Sequence, residues 1–290
     1  MIGIVILHYI DFQMTKRYID NLLSLNWNNL TYHIVVVDNC SPNSSGGELF
    51  EYFENNNRVT VLLMKSNLGF SKGNNVGIKY LREKYNCEIV AVSNNDIYIK
   101  NKDFFSLLNR IYLEEKFAVL GPDVFSVDKK IHQSPIRMTP INKIQLEKLK
   151  KNMQKKLIWM KLLIFLDIYP IVKIVLNGFG IRGVKESHEF QKCRENAVIH
   201  GAFFVLTDIY FNKYPDGLYD KLFLYMEEDA LALRCNKKSL KCLYYPDLKV
   251  EHYDGRSTRL LKGNRLKKNI FELENTIKSI NILLGEDDLL

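Results

Sequence analysis

Four apolar runs of strand length, Ile2–Leu7, His33–Val37, Val59–Met64 and Glu88–Val92, punctuate the first third of the chain. Between them lie Met14–Leu25, Leu49–Glu54 and Ser71–Tyr85, whose apolar residues recur at helical spacing. Near-continuous apolar runs suit strands covered on both faces. Their alternation with helices predicts an α/β fold with a mainly parallel, doubly wound sheet. Sheets of this kind bind ligands beyond the carboxyl ends of their strands. The polar residues fall there: His8-Tyr9, Asp38-Asn39, Asn67 and Asn94-Asn95-Asp96. That placement predicts a site rather than scattered loop polarity.

The middle of the chain changes character. Asn142–Lys156 is lysine-rich with helical spacing, and Leu157–Leu176 is strongly apolar but broken by Lys161, Asp167, Pro170 and Lys173. The breaks argue against a membrane-spanning helix. A basic helix followed by an apolar one fits a segment lying on an anionic membrane, and equally an inserted helical pair packed on the main domain. Beyond it, Ala197–Leu206, Leu240–Tyr245 and Leu248–His252 read as strands, and Glu227–Arg234 as a helix with an acidic start. From Arg265 onward the pattern is helical and basic. The expected organisation is one domain over residues 1–257, with a helical insertion at about 141–195, followed by a helical extension over 258–290.

Each motif at a strand end has its own chemistry. Asp38, closing a buried strand, can accept hydrogen bonds from a uracil or thymine ring or from a ribose; it can also serve as a turn residue. Asn67-Leu68-Gly69-Phe70-Ser71-Lys72-Gly73-Asn74-Asn75 sets two glycines and several amides at a strand-to-helix junction. There a diphosphate can approach the backbone and Lys72 can offset its charge. The segment is neither GxGxxG nor a P-loop. Asn94-Asn95-Asp96 offers oxygen ligands for a hard cation, with a single carboxylate. Glu227-Glu228-Asp229 places three carboxylates at a helix start, where the helix dipole favours them and where one can act as a general base. His252, at the end of a strand, can ligate a metal through a ring nitrogen.

In order, strand-end Asp38, Asn67-Leu68-Gly69-Phe70, Asn74-Asn75, Asn94-Asn95-Asp96, His200-Gly201-Ala202, Tyr225-Met226-Glu227-Glu228-Asp229 and His252 form a set. The set resembles inverting glycosyltransferases of family 2 with the GT-A fold, particularly bacterial rhamnosyltransferase-like and galactofuranosyltransferase-like members. It spans roughly Met1 to Ser257. The resemblance implies that Asp38 binds the nucleotide base, with His8 and Tyr9 near it. Asn67, Gly69, Lys72 and Asn74 would line the nucleotide and diphosphate pocket, and His200 and Gly201 would lie beside the donor sugar and acceptor. Asn94-Asn95-Asp96 stands where the family carries its DxD motif, so Asp96 and His252 would hold Mg or Mn. Asn94 replaces that motif's first Asp, which makes the site less negative. The general base falls in the acidic motif. It is Glu228 if Tyr225 aligns with the aromatic preceding that motif, and Asp229 if the alignment slides by one.

The implied reaction moves a sugar from a UDP-sugar or dTDP-rhamnose to a hydroxyl of a growing, lipid-linked cell-surface glycan. Two other readings compete. A sugar nucleotidyltransferase would carry a glycine-rich basic loop after the first strand, where this chain has His8-Tyr9-Ile10-Asp11. A nucleic-acid-binding protein is suggested by the net charge of +8, but the lysines cluster in the middle segment and C-terminal helix, away from the amide and acidic strand ends. No nucleic-acid partner is therefore expected. Five cysteines, with no CxxC pair, read as free thiols in a reducing compartment. The expected location is cytoplasmic, peripheral on the inner face of an anionic membrane. A homodimer through the C-terminal helix is a further expectation.

Overall fold

The computed structural model describes residues 1–165, 188–253, 265–286 and 289–290. Through its first half the chain runs β1 (Ile2–His8), α1 (Phe12–Leu23), β2 (Tyr32–Asp38), α2 (Ser45–Phe53), β3 (Val59–Leu63), α3 (Gly69–Tyr85), β4 (Ile89–Asn94), β5 (Ile97–Tyr98), α4 (Phe104–Glu115) and β6 (Val119–Ser126). It continues with β7 (Ile131–His132), α5 (Lys143–Phe165), β8 (Arg194–Glu195), β9 (Phe203–Thr207), α6 (Asp208–Phe211), α7 (Glu227–Lys237), β10 (Cys242–His252) and α8 (Arg265–Leu284).

The strands of the expected alternation stand where the apolar runs place them. β3, β2, β1 and β4 are neighbours in that order, all parallel. Their runs are buried on both faces: Ile4, Ile6 and Val36 pack toward α1, α2 and α4, while Val5, Val35 and Val37 pack toward α3. The order reverses at β1, since β2 and β3 lie on one side of it and β4 on the other. The crevice at that reversal opens at the ends carrying His8, Asp38 and Asn94. The second half makes the sheet mixed: β9 runs antiparallel between β4 and β6, and β10 continues parallel to β6.

Several expectations shift. Ala197–Leu206 is a strand only from Phe203; before it Val198 makes an isolated antiparallel bridge to Arg137, and residues 201–202 form a turn. Leu240–Tyr245 and Leu248–His252 are one strand, broken by a register shift between Tyr245 and Lys249. The expected helical pair in the insertion is a single helix through Phe165; residues 166–176 of the second lie outside those described. The C-terminal helix is not an appendage. Its Leu273 packs with Met160, and its Ile280 and Leu283 pack with Leu146, Leu222, Met226 and Ala230 of the same chain. Part of the apolar surface of this helix is thus covered within the molecule, while Phe271 stays exposed. Among the described residues, no helix is long and apolar enough to cross a membrane.

Candidate active site

Four segments distant in sequence meet beyond the carboxyl ends of the strands. β4 delivers Asn94-Asn95-Asp96, and β10 delivers His252 beside β5. Asp96 Oδ1 lies 3.2 Å from His252 Nε2, and both residues are buried. His252 Nδ1 meets Gln133 Oε1 at 2.8 Å. An amide oxygen only accepts, so Nδ1 carries a proton, and in the neutral ring the Nε2 lone pair turns toward Asp96. Asp96 Oδ1 receives no hydrogen bond among the described residues. Two electron pairs converge there, and a cation fits between them. The described residues hold no cluster of three or more His, Cys, Asp or Glu side chains suited to a metal. A cation at this pair would take its remaining ligands from amide or backbone oxygens, from a bound molecule or from water.

The segment 200–202 joins this pair to the acidic motif. Asn94 N–H donates to the Ala202 carbonyl at 2.9 Å. The His200 ring stands 5.7 Å from the His252 ring, edge to face, and its Nδ1 accepts from Ala202 N–H at 3.1 Å. Gly201 N–H donates to Glu228 Oε1 at 3.2 Å. A Cβ on Gly201 would fall 2.8 Å from that oxygen, so a glycine permits the approach.

The three acidic neighbours have separate environments. Asp229 is buried and paired with Arg137, a residue the sequence reading did not single out. Burial, with the Glu228 charge beside it, pushes the Glu227 carboxyl up to about 8. Glu227 Oε1 is buried and has no hydrogen-bond partner among the described residues. Burial also raises Glu228, against the pull of its own amide, the Gly201 amide and the Arg137 guanidinium. Glu227 and Glu228 share a narrow cavity with Phe70, Phe204 and Leu231. The motif is entered through Tyr225 and Met226, both at φ 69°, a left-handed conformation unusual for two consecutive non-glycine residues. Such backbone costs about 1–3 kcal/mol per residue and persists only where packing imposes it. Here Met226 is held among Ile141, Leu146 and Ile280, and Ser279 Oγ donates to the Leu224 carbonyl at 2.9 Å.

The residues expected to line the nucleotide pocket differ in their burial and in what holds them. His8 is wholly buried; its ring nitrogens meet Thr15 Oγ1 at 2.6 Å and Ser45 Oγ at 2.9 Å. Burial pushes its pKa down to about 4, against the pull of Asp38 and Asp11, so the ring is neutral at pH 7. It braces β1 against α1 and α2 and lies beneath the site. Asn95 is likewise buried, donating to Thr15 Oγ1 at 2.9 Å. Asn74 is buried inside α3 and donates to the Phe70 carbonyl at 3.0 Å. Asp38 accepts from Ser41 Oγ at 2.5 Å and abuts Gly46 at the start of α2. Asn67 is exposed, and its Oδ1 takes the Gly69 N–H at 2.9 Å. Asn39 ties this loop down: it donates to Gly69 O at 3.0 Å and to Asn67 Oδ1 at 3.1 Å, and it accepts from Leu68 N–H at 2.8 Å. Tyr9 is half-buried just past β1. Lys72 lies apart, lining a groove on the flank of α3 with Lys79, Arg82 and Asp216.

The family model for "Glycosyl transferase family 2" matches residues 3–165. No curated protein matches the chain. Among solved structures, the chain is similar to S. aureus TarS 1-349, at 13% identity and a TM-score of 0.55, covering 94% of this chain and 64% of that one. The same protein in complex with UDP-GlcNAc matches at 14% identity and a TM-score of 0.56, over 97% and 66% of the two chains. Mannosyltransferase PcManGT from Pyrobaculum calidifontis, in complex with GDP-Man and Mn2+, matches at 11% identity and a TM-score of 0.55, over 95% and 69%. At such identities the likeness is one of fold, and it bears out the α/β, GT-A expectation. The chain spans about 64% of the TarS 1-349 chain. The family match favours the glycosyltransferase reading over the sugar nucleotidyltransferase.

Proposed function

Because the chain belongs to glycosyl transferase family 2, we propose that it moves a sugar from a nucleotide donor to a hydroxyl of a glycan acceptor by a single inverting displacement. The observation that carries this reading is the meeting of Glu228 and the Asp96–His252 pair on either side of residues 200–202. That meeting supports Glu228 as the proton acceptor and Asp96 with His252 as the cation-holding pair, beyond the carboxyl ends of the strands.

Glu228 is the general base. Asp229 is engaged by Arg137, and Glu227 retains its proton at neutral pH because its carboxyl titrates near 8. That leaves Glu228, oriented by the Gly201 amide, to take the proton from the acceptor hydroxyl as that oxygen attacks the anomeric carbon. The bond to the nucleoside diphosphate breaks on the opposite face, and the configuration inverts. Asp38 recognises the base of the nucleotide, and the Asn67–Gly69 turn, fixed by Asn39, lines the diphosphate path. Asp96 and His252 would hold Mg or Mn, which when bound neutralises the charge developing on the leaving diphosphate. The donor is a UDP-sugar or dTDP-rhamnose, and the acceptor a lipid-linked glycan reached from the inner face of the membrane.

Release of nucleoside diphosphate, followed across a panel of nucleotide sugars with and without Mn, tests the reading. Release from at least one donor, stimulated by Mn, is expected. No release from any donor, with or without acceptor glycans, would overturn it.

A further inference from the structure

α5 presents two unlike faces. Its inner face packs into the chain: Leu146 joins Met226 and Ile280, and Met160 joins Leu273. Its outer face carries residues that a solvated helix face does not ordinarily keep. Ile158 is 67% exposed, Trp159 59% and Leu162 48%. These three fall at i, i+1 and i+4, so they share one side of the helix, opposite Met160. About one, two and three turns before Ile158 the same side carries Lys155, Lys151 and Lys148, all exposed. The helix has seven lysines and one glutamate. A contiguous apolar patch with a basic approach, on a protein of net charge +8, is complementary to a surface that is apolar beneath and anionic at its rim.

We propose that the outer face of α5 docks on an anionic lipid bilayer. Ile158, Trp159 and Leu162 enter the boundary between headgroups and acyl chains, where an indole is well accommodated, and Lys148, Lys151 and Lys155 lie along the anionic headgroups. The inner face of the same helix packs on Met226, immediately before the acidic motif. Docking therefore orients the segment that presents Glu228 relative to the membrane. This deepens the proposed function by placing its lipid-linked acceptor, and it rests on that reading for the acceptor alone.

Trp159 reports the docking directly. The chain has two tryptophans, and Trp27 is buried and stacked between Tyr32 and Phe105, so a change in emission on vesicle binding belongs to Trp159. Intact protein is titrated with vesicles of phosphatidylcholine alone and of phosphatidylcholine mixed with phosphatidylglycerol. A blue shift confined to the anionic vesicles and weakened by salt is expected. The variant K148Q/K151Q/K155Q should bind those vesicles about fivefold more weakly for each lysine removed, and W159A/L162S should fail to sediment with them. Both variants alter exposed positions and keep nucleotide release from soluble donor. No blue shift with anionic vesicles overturns the proposal. So does an equal shift with neutral ones, or a concentration-dependent dimer that buries Trp159 without lipid. Absence of vesicle binding by the unsubstituted protein, with its nucleotide release intact, would sink the docking alone. Vesicle binding without release from any donor would sink the transfer reading and leave the docking standing.

Discussion

Replacing Asp229 with asparagine strips Arg137 of its buried partner, so it acts on folding before it acts on chemistry. Asp229 is buried but the Arg137 side chain is 37% exposed and also faces Glu228, so losing the pair from one side costs about 1–3 kcal/mol. Chemical denaturation of D229N should show a loss of that order; a variant as stable as the parent would remove the structural role given to this residue. Glu227 predicts a pH dependence of the opposite kind. Its folded pKa, about 8, stands above the ordinary 4.5. The stability tied to its proton is therefore full below pH 4.5 and lost as pH rises through 8. E227Q should flatten that decline and raise the melting temperature at pH 8.5 more than at pH 5, an effect on the order of 3 kcal/mol. An equal effect at both pH values would contradict the assignment. Sequence alone preferred Glu228 to Asp229 by only one step of alignment, because what separates the two in the fold is Arg137, 92 positions from Asp229. Likewise nothing local marks His8 or Asn95 as struts. Both are polar residues at strand ends, and only the packing of α1 and α2 shows where their side chains point.

Among the elements, the turn into α3 is the most exacting. Gly69 has φ +77°, and a Cβ there would fall 2.2 Å from the Phe223 carbonyl oxygen. That neighbour is backbone, held in place by the Phe70 N–H at 3.0 Å, and it cannot swing aside. G69A should cost about 3 kcal/mol or more and weaken donor binding, read by thermal melting and calorimetry. An unperturbed melt would show that the turn is not so constrained. The parallel strands were legible because their runs are apolar throughout, which only a sheet covered on both faces explains. β6 was not, because it carries Gly121-Pro122-Asp123, residues that ordinarily spell a turn. Its context supplies the reason for the glycine: a Cβ on Gly121 would fall 2.4 Å from Ile199, in the segment leading to His200. The short β5 has no sequence signature of its own and exists by pairing with Glu251 and His252.

At the scale of the whole molecule, the parallel half of the sheet supplies His8, Asp38 and Asn94-Asn95-Asp96, and the later half supplies His252, residues 200–202 and the acidic motif. The Asp96–His252 pair sits at their junction. D96N and H252A should each reduce Mn-stimulated nucleotide release by about tenfold or more, leaving a residual that Mn no longer changes; stimulation that survives both substitutions would move the cation elsewhere. The central claim concerns Glu228, and nucleoside diphosphate release by E228Q, beside the parent and with the best donor of the panel, tests it most directly. The account predicts a drop of about a hundredfold or more, with donor affinity by calorimetry unchanged and an acid limb in the parent's pH profile above the ordinary carboxylate range. Near-normal release by E228Q would contradict it.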